Sequence, residues 1–248
     1  MIYQQYNNCI DVINNCENID LCFINLPYQS SDVNNIEIYY DQILKNYGIE
    51  LLDLDTKELE DFDTMRGLCL WFYGLSGSGK TTLAKKVKEK LLEIYPHKKI
   101  THIDGDKGIN TIYRQYKEIY SNTKITFTRQ GRSIADNVSA YRAIEFLKDT
   151  DNIVILTKTS PYINSRLYNK YLIEKYANYI EILIDTSLDI CQQRDSKGLY
   201  DLVEQGKIKN FIGIDEKFEK NNNSDIIINN TNLKENCNKI ISYILDYI

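Results

Sequence analysis

Only two histidines occur in the 248 residues, and none of the six cysteines (Cys9, Cys16, Cys22, Cys69, Cys191 and Cys237) falls in a CxxC pair. A zinc site of the usual Cys and His spacing therefore lacks its ligands. Unpaired thiols without a disulfide framework point to a reduced, cytoplasmic protein. No apolar run approaches the roughly 18 residues of a membrane-spanning helix. The start, Met1-Ile2-Tyr3-Gln4-Gln5-Tyr6-Asn7-Asn8, has neither the basic residues nor the apolar stretch of a signal peptide. Basic excess is missing too: the formal charge is -5, which gives no electrostatic reason to expect a nucleic-acid polymer. Internal repeats and long low-complexity tracts are absent.

What is present is a pattern of buried strands alternating with helices. Hydrophobic residues make up 43% of the chain, enough for a packed core. From Leu68 onward, apolar runs at Leu68–Tyr73, Ile100–Ile103, Ile153–Thr157, Tyr179–Ile184 and Ile226–Ile228 are separated by helical patterns. Those helices are expected near Thr81–Tyr95, Ile134–Leu147, Asn164–Lys175 and Leu233–Tyr247. Short apolar strands joined by helical crossovers predict a doubly wound parallel α/β sheet with helices on both faces. Ligands in such a sheet bind beyond the carboxyl ends of the strands.

Residues 1–65 read differently. Asp20–Pro27 and Ile49–Leu54 suggest strands around a helix at Val33–Tyr47, followed by the acidic stretch Asp53–Asp63. One βαβ unit of this size cannot cover its own faces, so an accessory extension is expected, with the main domain over 66–248. A remnant of another α/β enzyme is the alternative, and no catalytic constellation is visible in it.

The kinase reading rests first on Gly74-Leu75-Ser76-Gly77-Ser78-Gly79-Lys80-Thr81, a full GxxxxGK[ST] phosphate loop followed by Thr82, set between an expected strand and an expected helix. Gly74, Ser76, Gly77, Ser78 and Gly79 would bring backbone N–H groups onto phosphate oxygens at a helix N-terminus. Lys80 would reach the β- and γ-phosphates of ATP, and Thr81 would ligate Mg²⁺. A GTPase would also need an NKxD-type motif, but Asn169-Lys170 is not followed by x-Asp.

A second acidic motif, Asp104-Gly105-Asp106, ends the next expected strand. One carboxylate could serve the Mg²⁺ shell and the other a substrate hydroxyl; Asp104 is taken for the metal, both as catalytic candidates. An ordinary Asp-Gly-Asp turn is the plain alternative. His102, on the strand before it, reads as structural.

Together with these motifs, Ser160-Pro161-Tyr162, Arg194-Asp195-Ser196-Lys197-Gly198-Leu199-Tyr200 and Phe211-Ile212-Gly213-Ile214-Asp215 resemble the adenylylsulfate kinase family, in the same order over about residues 68–230. The resemblance implies an ATP- and Mg²⁺-dependent kinase with a mobile lid. Its acceptor would be the 3′-hydroxyl of adenylyl sulfate. It implies roles for Ser160 beside the active site, for Arg194 along the ATP base pocket, and for Lys197 and Phe211 against the acceptor nucleotide. Arg166 matches the arginine that follows Ser-Pro-Tyr-x-x-x.

The acceptor half departs from the pattern. Ile109 stands where the resemblance implies an arginine after Asp-Gly-Asp, and Ile163 where one follows Tyr162. Asn137 matches the asparagine of an Asn-Ile-Arg-Arg run, but its two arginines fall on Ser139 and Ala140. Arg129, Arg132 or Arg142 would have to substitute, with Arg132, Asn137 and Asp106 as acceptor-side candidates. Each lost charge-assisted contact costs about 1.5–3 kcal/mol. Another nucleotide-linked acceptor, as in the similar cytidine diphosphoramidate kinases of surface-polysaccharide pathways, is therefore the second reading. A non-catalytic nucleotide-binding module is the third, against which Lys80, Thr81 and Asp104 speak. The expected partner is a small-molecule nucleotide acceptor, with no nucleic-acid polymer and no membrane; a homodimer stays open.

Overall fold

The structure, a computed structural model, describes residues 67–105, 128–148, 151–229 and 232–248. The expected N-terminal unit, Asp106 and Ile109 lie outside the described residues.

Five parallel strands form the sheet: β1 (Gly67–Tyr73), β2 (Ile100–Asp104), β3 (Ile153–Lys158), β4 (Ala177–Ile184) and β5 (Ile226–Ile228), in the order β2-β3-β1-β4-β5. Every residue of β1 is buried, which suits the central strand of a sheet covered on both sides. Side chains alternate across it. Leu68, Leu70 and Phe72 pack on one face with α1 (Lys80–Ile94) and the terminal helix α6 (Leu233–Ile244). Cys69, Trp71 and Tyr73 pack on the other with α2 (Arg129–Leu147) and α3 (Ile163–Glu174). Two short helices, α4 (Leu188–Arg194) and α5 (Leu199–Glu204), follow β4 and were not expected from periodicity, because six or seven residues hold too few turns to show it.

The helices follow from local chemistry. In α1, Leu83, Ala84, Val87 and Leu91 share a buried stripe, and the helix stops just before Pro96. The first residue of α2 is Arg129, five positions ahead of the expected Ile134. Thr128 caps it, its hydroxyl accepting from the Gly131 N–H at 3.0 Å, and the polar turn that follows carries no apolar period to reveal it. Asn232 caps α6 in the same way through the Glu235 N–H at 3.2 Å.

Because β1 is flanked by β3 and β4, the chain reverses its direction of travel across the sheet there. The loop after β1 thus sits at the switch point where open α/β sheets bind ligands.

Candidate active site

The phosphate loop leaves β1 at Tyr73 and enters α1 at Lys80. Its five consecutive carbonyls, Gly74 to Ser78, all accept hydrogen bonds from side chains. Lys80 Nζ donates to Gly74 O at 3.0 Å and Leu75 O at 2.6 Å. Tyr200 Oη donates to Ser76 O at 2.9 Å. Arg194 Nη1 lies 3.3 Å from both Gly77 O and Ser78 O, and Thr186 Oγ1 donates to Ser78 O at 3.0 Å. With the carbonyls held by protein groups, the loop's peptide orientations are set by the fold before any phosphate is bound. Gly77 has φ 76°, and a Cβ there would lie 2.7 Å from Cys191 O, so this position needs glycine on both counts.

Thr81 and Thr82 occupy the first turn of α1, Thr81 partly and Thr82 well exposed. Asp104 ends β2 in register with Thr157 of β3. Among the described residues no group of three His, Cys, Asp or Glu could hold a metal alone. A Thr hydroxyl and a carboxylate are hard oxygen donors of the kind Mg²⁺ accepts alongside phosphates and water, so the residues present fit that ion. His102 Nε2 meets Thr157 Oγ1 at 3.1 Å, as a structural histidine would.

Gly105 has a tighter constraint than its turn: a Cβ there would come within 2.8 Å of Lys158 Cγ and 2.9 Å of Thr157 O. Lys158 is the residue that sequence reasoning missed. Its ammonium runs from the end of β3 into α2, where it bonds Ala135 O, Ser139 Oγ at 2.9 Å and Asp136 Oδ1 at 3.2 Å. Burial pushes the Asp136 carboxyl above the usual range, and Lys158 pulls it back. A lysine closing a buried strand was the available signal, since such a charge needs a buried partner.

This network occupies the departure at Ser139, and the apolar core occupies the one at Ala140. Ser139 is buried, its hydroxyl donating to Ala135 O while accepting from Lys158. Ala140 packs among Trp71, Tyr73, Val154 and Leu156 with no exposed surface, so a long charged side chain has no room there. Asn137 is fully buried as well, and neither of its amide atoms is hydrogen-bonded among the described residues.

Other candidates are placed away from open solvent. Ser160, at φ 37°, is fully buried; its Oγ accepts from Trp71 Nε1 at 3.1 Å, and its carbonyl accepts from Arg166 Nη1 at 2.6 Å. A hydroxyl so enclosed serves the architecture of the β3 exit in this conformation. Arg166 is an internal tie: Nη2 donates to Glu219 O at 2.7 Å, Nε pairs with Glu181 at 3.4 Å, and the guanidinium lies 4.1 Å over the Tyr73 ring.

The segment expected as a lid starts with Asp195, whose carboxylate caps α5 by accepting from the Leu199 and Asp201 N–H groups at 2.8 and 3.1 Å. Lys197 is exposed beside this turn. Phe211 is buried with its ring edge-on to Tyr200 at 5.0 Å, and not open on a free face. Arg132 Nη2 donates to Asn210 O at 2.7 Å, and Arg129 pairs with Glu219 at 3.0 Å while lying 4.1 Å over Tyr162. Both arginines of the α2 start therefore hold the chain between Asn210 and Glu219. Burial raises the Tyr162 phenol above its ordinary range, opposed by Arg132. No helix among the described residues is long and apolar enough to cross a membrane.

Comparison with known proteins gives a consistent picture. A family profile described as Adenylylsulphate kinase matches residues 66–229. The adenylyl-sulfate kinase of Clostridium kluyveri is 31% identical over 199 residues, which is 79% of this chain and 90% of the relative. That of Clostridium acetobutylicum is 32% identical over 185 residues, 74% of this chain and 84% of its own length. The solved APS kinase CysC of Mycobacterium tuberculosis, in complex with AMPPNP and APS, superimposes with TM-score 0.62 at 26% identity, over 73% of this chain and 99% of that one.

Proposed function

This chain belongs to the adenylylsulfate kinase family, and on that premise we propose that it phosphorylates the 3′-hydroxyl of adenylyl sulfate at the expense of ATP. The observation that carries the donor half is the phosphate loop whose carbonyls from Gly74 to Ser78 are all engaged by side chains. Its N–H groups and Lys80 neutralise charge on the transferring phosphoryl group, which is most of what such catalysis requires. Thr81 and Asp104 would hold Mg²⁺, which would supply positive charge against the phosphates of ATP. In this reading Asp104, which ends β2, also orients the acceptor hydroxyl together with Asp106. Arg132, Lys197 and Phe211 are the acceptor-side residues in this reading.

One observation favours a second acceptor. Ser139 and Ala140 offer no cation, and Lys158 spends its charge on Asp136, so positive charge on the acceptor side falls to the start of α2. A nucleotide conjugate whose recognition does not depend on cations at positions 139 and 140 would suit that arrangement.

A coupled ADP-release assay decides between them, with adenylyl sulfate set against cytidine and uridine diphosphate conjugates. Turnover of adenylyl sulfate is expected. Failure on it alongside turnover of another conjugate would move the assignment to the second reading, and ATP binding with no turnover at all would leave a binding module.

A further inference from the structure

We propose that Tyr200 is a positioning residue that ties the phosphate loop to the turn Phe211–Glu216, making nucleotide occupancy and retention of that turn linked events. The proposal stands on the donor site and holds for whichever acceptor is used.

Tyr200 touches both parts with different atoms. Its hydroxyl donates to Ser76 O at 2.9 Å, in the middle of the phosphate loop, while its ring meets the Phe211 ring edge-on at 5.0 Å. Both rings are buried in one cluster with Leu75, Tyr162, Cys191 and Ile212. The turn itself is stitched as a unit: Phe211 O accepts from the Asp215 and Glu216 N–H groups at 2.9 and 3.1 Å, and Gly213 N donates to Glu216 O at 2.7 Å. It also lies close to the loop directly, since a Cβ at Gly213 would stand 3.0 Å from Leu75 Cδ2. Burial pushes the Tyr200 phenol well up, so the hydroxyl keeps its proton and remains a donor at every working pH.

Ser76 sits where a bound phosphate fixes the loop's backbone. Any restraint on its peptide is passed through the phenol to the ring, and from the ring to Phe211. The contact is reciprocal: whatever holds the turn also favours the loop geometry that nucleotide selects.

The test is limited trypsin digestion of the full chain with and without saturating Mg-ADP, following by mass spectrometry the cleavage after Lys207 and Lys209, two exposed residues just ahead of the turn. Mg-ADP is expected to slow cleavage of the wild type by about fivefold, the size one net hydrogen bond sets. Tyr200→Phe keeps the ring and removes the bond; it should lose that protection while its ADP affinity, measured by calorimetry, weakens by no more than the same factor. Phe211→Leu is the second variant, retaining the bond to Ser76 and removing the ring edge, and should lose protection likewise. Absence of protection in the wild type overturns the proposal, as does full protection in either folded variant.

Discussion

Lys158 Nζ, carried on the end of β3, lies 3.2 Å from Asp136 Oδ1 on the second turn of α2, and both side chains are under 5% exposed. The pair locks α2 to β3, the strand beside β1 and its phosphate loop. It also fills the space beside Ser139, and its aliphatic stem sets the glycine requirement at position 105.

Breaking this pair from one side should be costly. Lys158→Met leaves Asp136 buried beside no ammonium and is expected to lower unfolding stability by about 3–5 kcal/mol. The double variant Asp136→Asn/Lys158→Met should recover most of that loss, because an uncharged pair needs no desolvated counter-ion. Urea denaturation of wild type, single and double variants checks it. A double variant no better than the single would mean the ions are not each other's partner.

The same single variant should show a pH signature. Burial raises the folded-state pKa of Asp136 above its ordinary 3.8, and removing Lys158 removes the group that opposes the rise. For an acid raised on folding, the stabilisation is present below the unfolded pKa and is lost as pH rises through the folded one. The stability gap between Lys158→Met and the wild type is thus expected to widen as pH rises through the wild type's raised Asp136 pKa, above the ordinary carboxylate range. Thermal melts across that range measure it, and a gap independent of pH would rule the account out.

Restoring an arginine at position 139 is expected to fail on its own. In Ser139→Arg a second cation arrives where Lys158 Nζ already stands 2.9 Å from the Ser139 hydroxyl, so the variant should melt below the wild type. Ser139→Arg/Lys158→Met exchanges the two cations around Asp136 and should melt closer to it. If adenylyl sulfate is the acceptor, that exchange is also the variant in which its KM is expected to fall, read in the ADP-release assay.

In the phosphate loop, Gly77→Ala must place a Cβ 2.7 Å from Cys191 O at φ 76°. Strain of about 1–3 kcal/mol is expected in folding, together with a loss of ATP turnover. Lys80→Ala should abolish turnover outright, since it removes the ammonium that reaches Gly74 O, Leu75 O and Ser78 Oγ in the loop. Wild-type rates in Lys80→Ala would remove the phosphate-loop mechanism.

Chelation of Mg²⁺ is expected to stop turnover reversibly, and Thr81→Ala to raise the Mg²⁺ concentration needed for half-maximal rate. A titration of rate against Mg²⁺ for both proteins distinguishes a ligand from a bystander hydroxyl.

The sequence alone determined the sheet, the phosphate loop and the family. Buried strands of three to eight residues and amphipathic helices carry their periods locally, and the loop's glycines, lysine and threonine lie in one short run. Ordered motifs over residues 68–230 likewise need no folding to be read. Even the departures at Ser139 and Ala140 were legible, though not their cause. Only the tertiary structure brought Lys158 to Asp136, Tyr200 to Ser76, Arg129 to Glu219 and Arg132 to Asn210, across sequence gaps of 22, 124, 90 and 78 residues. Such pairs are joined by the packing of separate elements on one sheet, and no local period records which side chains will meet. It also enclosed Ser160, Asn137 and Phe211, because burial depends on what the rest of the chain lays over a residue.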